Sequence, residues 1–369
     1  MEQYDLVVAG AGPAGSILAR TAGRRLKVLI AEKRNCHVPV GSSREKSCGG
    51  MLNLSAQKAL AALSLPLPGE VLQSPQVFAV RAIDYDTNQE RYYQKQYLNI
   101  NREKFDRWLL AEALASGDTE FCDQTAVTDF IPYEDYVEVT LRNAQGGVRK
   151  VRTRFLAGTD GGASLVRRHL ERHYTGPDEP RYPLRRYVSL QQWFELSEEL
   201  PYYVALFDQR VTDYYSWMIP KGSQVILGSA IPEGKNVRGR FQYLKRRVNV
   251  SGFDLQEPVK ERGAVLLRPY GPGSVHLGKG RVFLAGEAAG LISSSSEEGI
   301  SYALNSGAVL GEALLASRRP SEVEQKYRKG VRRMAWGLGV KSAKAVIMYE
   351  PVLRGAVFKS GALSMKIRD

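Results

Sequence analysis

Three places in this 369-residue chain set a carboxylate among glycines directly after a short apolar run. The first holds Gly10, Gly12 and Gly15 at G-x-G-x-x-G spacing, with Pro13 and Ala14 inside it and Glu32 and Lys33 at the end of the next apolar run. The second is Asp160 with Gly161 and Gly162, after "RFLAG". The third is Gly286 and Glu287, after "RVFLA", followed by Gly290, four serines, two more acids and Gly299–Ile300. In the first, one glycine permits the tight turn, the second lets backbone approach a pyrophosphate, and the third lets helix and strand pack closely. The helix start then offers free N–H groups and a positive dipole end to phosphate. Glu32 would accept from ribose hydroxyls, which favours FAD or NAD over NADP. Asp-Gly alone is a common turn. Three such strand ends together suit one long dinucleotide lying across the carboxyl edge of a parallel sheet.

Other residues could carry chemistry beside that ligand. Cys48 precedes Gly49, Gly50 and Met51. Its reactive reading needs a lowered thiol pKa or a cofactor contact; otherwise it is a small packing residue. Cys36 and Cys122 complete an odd set without metal-ligand spacing, so free thiols in a cytoplasmic protein are expected and no metal. His169, His173 and His276 have no partner at ligand spacing. Trp193, Tyr202, Tyr203, Tyr214, Tyr215 and Trp217 either line an apolar channel or form sheet core. Tyr215 and Trp217 share a strand face by the two-residue period.

The elements that must position these groups follow from periodicity. Leu6–Ala9 and Lys27–Ala31 are apolar runs of the kind a strand buried on both faces requires, and Ser16–Ala22 between them reads as a helix, completing a βαβ unit. "NREKFDRWLLAEALA" reads as a helix with Asn101 as N-cap. A Gly-Gly hairpin is expected at 146 and 147. Residues 74–98 and 186–230 alternate and are rich in Val, Ile and aromatics, as antiparallel strands are. The expected fold is α/β: a Rossmann-like dinucleotide-binding domain with a parallel sheet (1–73, 101–178 and 266–317), interleaved with an antiparallel substrate domain (74–100 and 179–265) and a helical C-terminal region (318–369). No stretch is long and apolar enough for a membrane span, and the first residues lack a signal-peptide pattern. The net charge is +13, and residues 318–369 hold 13 Lys or Arg against 4 acids. Such a tail is either a solvated helical face or a surface for an anionic partner.

The motifs resemble the FAD-binding fold of the aromatic hydroxylase superfamily, which pairs an N-terminal G-x-G-x-x-G with a central D-G and a late G-D. "NINREKFDRWL" resembles its helix whose arginine, here Arg102, reaches the pyrophosphate side. Within that group the chain is most similar to geranylgeranyl-reductase-type flavoproteins, in their CbrA-like branch. "KSCGGMLNLSAQKAL", "YYSWMIPKGSQVILG" and "GEAAGLISSSSEEGI" carry the likeness. It implies FAD on Gly10, Gly12, Pro13, Ala14, Gly15, Glu32, Lys33, Lys46, Cys48, Gly49, Gly50, Met51, Arg102, Ala126, Asp160, Gly161, Gly286, Glu287, Gly290, Gly299 and Ile300. Glu287 stands where that group has Asp, accepting from the ribityl chain, and the helix after it would favour charge at the reduced flavin. Ser294 replaces the group's proline and Glu297 one of its glycines. Cys48, which the resemblance places beside the flavin ring, and Tyr215 and Trp217, on the strand it points toward the flavin, are the candidate catalytic residues.

The function expected from the resemblance is reduction of a carbon–carbon double bond in an apolar, isoprenoid-like small molecule or lipid. NAD(P)H and a ferredoxin-like donor both remain open as reductant. An FAD monooxygenase on an aromatic or lipid, and a flavin-containing lipid-binding or resistance protein with little turnover, are the alternatives. A flavin halogenase fits less well, because "YYSWMIP" places Tyr215 at that group's first tryptophan. No nucleic-acid partner is expected; an anionic membrane surface, reached from the cytoplasm, is a candidate partner for the basic tail.

Overall fold

The computed structural model describes residues 1–37, 39, 46–174, 184–269 and 272–365. The expected domain boundary at 178/179 lies outside the described residues. Eight α-helices occur among those described: α1 (Pro13–Ala22), α2 (Leu54–Ala62), α3 (Arg102–Leu114), α4 (Leu165–His173), α5 (Val237–Val250), α6 (Ile300–Leu315), α7 (Pro320–Tyr349) and α8 (Pro351–Ser360).

The first sheet runs Gly278–Lys279, Val282–Leu284, Val148–Gly158, Glu2–Ala9, Val28–Ala31 and Thr119–Cys122 in spatial order. Its five strands from Val282 to Cys122 are joined by four parallel pairings, with Glu2–Ala9 at the centre. The apolar run of the first strand is divided by the two-residue period. Leu6 and Val8 pack with α1, α6 and α7, through Leu18, Leu310 and Tyr327. Val7 and Ala9 pack on the opposite face with Val137, Val139 and Leu141 of a hairpin. A strand with both faces covered has no place for alternate polar residues, which is why the sequence shows none. The hairpin turns at Gly146, whose φ is +86°, as the Gly-Gly pair predicts.

α1 begins at Pro13, three residues earlier than the apolar pattern indicates, with Gly12 as N-cap. Proline suits the first turn because its missing N–H would be unpaired there anyway. α6 lies close against α1: a Cβ on Gly307 would strike the Ala14 carbonyl. Asn101 caps α3 as expected, its side chain accepting from the Lys104 N–H at 3.0 Å.

The second sheet runs Lys260–Pro269, Leu184–Glu195, Gln224–Pro232, Ser216–Lys221, Tyr203–Phe207, Val77–Asp84, Gln89–Asn99 and Met51–Leu52. Its pairs are antiparallel except Tyr203–Phe207 with Val77–Asp84. Two of its edge strands come from segments assigned to the other domain by sequence: Met51–Leu52, and the end of Lys260–Pro269 beyond residue 265. α5 covers one face through Phe241, Leu244 and Val248. The C-terminal helices cover the other through Ala345, Tyr349 and Phe358. α8 is anchored by Arg354, which is buried and donates to both oxygens of the fully buried Asp84 at 2.9 Å and to Asp86 at 2.7 Å. Breaking such a buried pair from one side costs about 3–5 kcal/mol, so α8 is an integral part of the sheet's cover.

Candidate active site

The parallel sheet brings the three glycine–carboxylate strand ends side by side. Ala9 pairs with Gly158 and Gly158 with Leu284, so Gly10, Asp160 and Gly286 emerge along one edge. Gly10 has φ +105° and Gly286 +62°, conformations that favour glycine. Gly15 carries the predicted packing role, since a Cβ there would collide with the Gly10 carbonyl. Gly12 differs: a Cβ would meet only the Lys46 ammonium, at 3.9 Å. Open space thus lies before Gly12, at the N-terminus of α1, with Pro13 and Ala14 in the first turn and a cation across from it.

Glu32 closes this end. One oxygen accepts from the Ala11 N–H at 2.8 Å and the other from the backbone and Nε of Arg34, at 2.9 and 3.2 Å. Arg34 also faces Glu103 and Asp106, at 3.8 and 3.9 Å. Lys33 is exposed, while Ala126 is half-buried on the strand beside Glu32. Arg34 was not singled out by sequence, although the Lys33–Arg34 pair after Glu32 marks the position.

Lys46, Cys48 and Arg102 meet in the middle of the cleft. Arg102 donates to Asp106 at 2.7 and 3.2 Å and to the Cys48 thiol at 3.2 Å. The Gly50 N–H adds a second donor to that sulfur at 3.4 Å. Burial raises the thiol pKa, but Arg102, the Gly50 amide and Lys46 outweigh it and hold Cys48 below the usual range. Cys36 is pushed up to about 12 by burial and by the nearby Glu32 and Asp123. The amine of Lys46 is depressed, first by repulsion from Arg102 and then by burial. Two cations that repel each other across open space make a site for an anion.

The loop holding Cys48 rests on the second sheet. Gly49 abuts Ile219, and Gly50, with φ +63°, abuts the Ile100 carbonyl. Met51 begins the short edge strand. Beneath lies Lys221, unforeseen from sequence, reaching Asn99 Oδ1 at 2.5 Å and the Ile100 and Gly50 carbonyls at 2.9 and 3.4 Å. Burial pushes its amine down to about 7. Three oxygen acceptors, however, need three N–H donors, which only the ammonium has, so we take Lys221 as charged.

At the second and third strand ends, Asp160 Oδ2 accepts from the Leu165 N–H at 2.7 Å. Its buried Oδ1 has no partner among the described residues, and burial raises the carboxyl pKa. Gly161 has φ +75° and faces Glu287. The Glu287 carboxyl is half-buried and raised by desolvation, against the pull of Lys46. Gly290 serves a turn, with its N–H on the Glu287 carbonyl at 2.9 Å, and Gly299 caps α6 ahead of Ile300.

The loop between them is tied down from outside. Tyr349 donates to the Ser295 carbonyl at 2.7 Å, Tyr215 to that of Ser296 at 3.1 Å, and Arg268 to that of Ser294 at 3.1 Å. Glu297 sits at φ +52° with its N–H on the Tyr214 hydroxyl at 2.9 Å. Rings continue across the sheet: Tyr97 lies 6.1 Å from Tyr203, Tyr203 neighbours Tyr215, and Tyr215 lies 5.6 Å from Trp217. Trp217 is only 4% exposed and packs on Gly228, so Tyr215 presents the more accessible ring. Tyr214 is likewise buried, Trp193 carries Lys260 over its ring, and Tyr202 bonds Arg81. Among the described residues no metal-ligating cluster occurs.

This arrangement fits a flavin dinucleotide on structural grounds. The vacant approach to Gly12, the facing cations Lys46 and Arg102, and the unpartnered Asp160 oxygen supply pyrophosphate and hydroxyl partners in line along the sheet edge.

Residues 3–185 match the family model of the FAD binding domain. The protein CbrA of Escherichia coli O6:H1 is 36% identical over 361 residues, covering 98% of this chain and 94% of that protein. A geranylgeranyl bacteriochlorophyll reductase-like protein of Thermoplasma acidophilum has a TM-score of 0.77 at 19% identity, covering 98% of each chain. CmlS, a flavin-dependent halogenase, has a TM-score of 0.69 at 18% identity, covering 100% of this chain and 69% of that one. At those identities the two structures show a shared fold.

Proposed function

The chain belongs to the FAD-binding family that includes the CbrA proteins, and from that premise we propose that it reduces a carbon–carbon double bond of an apolar, isoprenoid-like substrate. The observation that carries this reading is the row of rings, Tyr97, Tyr203 and Tyr215, ending at the loop that follows Glu287 and backed by the buried Trp217. A wall of aromatic rings at that point suits a hydrocarbon. The name of the Thermoplasma acidophilum protein, a geranylgeranyl bacteriochlorophyll reductase-like one, points the same way.

In this reading the α1 N-terminus, Lys46 and Arg102 hold the pyrophosphate, Glu32 and Asp160 hold hydroxyls, and Glu287 holds the ribityl chain. When bound, FAD supplies the electron pair and hydride chemistry. The residues of this chain bind, orient and exclude water. Cys48, whose thiol pKa Arg102 lowers, and Glu297, whose carboxyl pKa burial raises, are titratable groups at the reacting end. The electron donor is NAD(P)H or a ferredoxin-like protein, and the setting is the cytoplasm, where Cys36, Cys48 and Cys122 stay free thiols.

Oxygen insertion is a second reading, favoured by the fold shared with a flavin-dependent halogenase. One experiment separates the two. The FAD-loaded protein is reduced anaerobically with dithionite and mixed with geranylgeraniol. Reoxidation of the flavin without oxygen, with product heavier by two hydrogens, supports the reductase. Reoxidation only on admitting oxygen, with product heavier by one oxygen atom, supports the monooxygenase and overturns the reductase.

A further inference from the structure

The C-terminal region presents a surface that neither FAD nor the ring-lined wall uses. α7 is 30 residues long, about 45 Å at 1.5 Å per residue. Its inner stripe repeats at helical spacing: Val323, Tyr327, Val331, Met334, Leu338, Ser342, Ala345 and Tyr349, each buried or half-buried. An outer stripe has the same period and points away from the protein: Lys329, Arg333, Trp336, Val340, Ala343 and Ile347, all exposed. Trp336 is 74% exposed and Val346 64%. Directly after it, α8 adds Val352 at 76%, with Leu353 and Val357 also exposed. Single exposed apolar residues need no explanation, but a run of them over two consecutive helices does.

Charge identifies the occupant. No acidic residue occurs between Gln325 and Tyr349, whereas seven Lys or Arg do. Glu322 and Glu324 lie at the far end of α7, where Arg319 and Arg328 engage them at 2.7 and 2.9 Å. Glu350 is spent capping α8, accepting from the Leu353 N–H at 2.7 Å. Among the described residues no carboxylate pairs with Lys329, Arg332, Arg333 or Lys344. A second copy would bring the same uncompensated positive face. An anionic bilayer supplies negative headgroups for the cations and an acyl boundary for Trp336 and its neighbours. No helix among the described residues is long and apolar enough to cross a membrane, so the contact is one of lying on the surface.

We propose that the outer stripe of α7, continued onto α8, is a docking face for anionic lipid bilayers. The inner stripe of the same helix reaches the candidate site. Ser342 hydrogen-bonds Ser294 at 2.9 Å, Lys341 faces Glu298 at 3.7 Å, and Tyr349 holds the Ser295 carbonyl. One helix, about 10 Å across, therefore stands between the lipid and the loop after Glu287. The docking face is independent of whichever reaction the cleft performs.

The test is sedimentation of the full-length, FAD-loaded protein with vesicles of phosphatidylcholine, with and without one-third phosphatidylglycerol. Each cation at an anionic surface contributes about 5-fold in affinity at low salt. Binding to the phosphatidylglycerol vesicles, weakened by salt and lowered roughly 25-fold or more in Arg332→Glu/Arg333→Glu, is expected. Brominated lipid should quench a fluorescence component that Trp336→Ser removes. Both variants change exposed residues, and unchanged FAD content and melting temperature verify their fold. No binding at low salt, or binding that neither variant alters, overturns the proposal. So does a dimer in light scattering that Trp336→Ser dissociates, because a second copy would then cover the stripe.

Discussion

Replacing Arg102 by Gln should raise the pKa of the Cys48 thiol. The guanidinium donates to the sulfur at 3.2 Å and carries the largest of the lowering influences on it. A hydrogen bond to a charged group contributes about 1.5–3 kcal/mol, and one pKa unit corresponds to about 1.36 kcal/mol. The shift is therefore about one to two units upward, short of complete reversal because the Gly50 N–H and Lys46 remain. Gln keeps donors for Asp106, so the helix retains that contact. The assay is the pH dependence of iodoacetamide alkylation in cofactor-free protein with Cys36 and Cys122 changed to Ser. The midpoint, rather than the rate at one pH, is the readout, because a thiolate of higher pKa is also more nucleophilic. In the protein with all three cysteines, Cys48 should be alkylated before Cys36, whose thiol stands at about 12. A folded Arg102→Gln variant with an unmoved midpoint, or Cys36 reacting first, would refute the reasoning.

Gly12→Val should abolish FAD binding while leaving the fold intact, since the added side chain enters open space that only Lys46 borders; calorimetric titration with FAD and a melting curve check both halves. Cys48→Ala should retain FAD, measured by flavin content after gel filtration, because Arg102 keeps its two contacts to Asp106 and the sulfur's bond to the Gly50 N–H is a long one at 3.4 Å. FAD affinity should weaken as pH rises through the depressed pKa of Lys46. The pyrophosphate favours the protonated amine that Arg102 disfavours in the free protein, so binding draws on a proton that high pH removes; fluorescence titrations from neutral to alkaline pH, flattened in Lys46→Met, test this.

The nucleotide end of the site was legible in sequence because backbone geometry dictates it. Gly10 at positive φ, Gly15 against Gly10 and the carboxylates at three strand ends leave local patterns that survive in one dimension. Lys221, Arg268 and Tyr349 left no such trace. Each acts on partners far along the chain, such as Lys221 on Asn99 and Tyr349 on Ser295, and only the packing of the sheets and the C-terminal helices brings them together. Asp106 was within reach of sequence reasoning, since it lies one helical turn beyond Arg102 on α3. The tail shows the limit most plainly. Its apolar residues could be assigned to core or to surface only once α7 was seen to bury Leu338 and Tyr349 while exposing Trp336 and Val340.

A crystal structure of the protein grown with FAD tests the central claim most directly. The pyrophosphate should lie between Gly12 and Lys46, with the ribityl chain passing Glu287 and the ring system approaching Cys48. Protein that takes up no FAD, or density placing the flavin away from these three strand ends, would contradict the account.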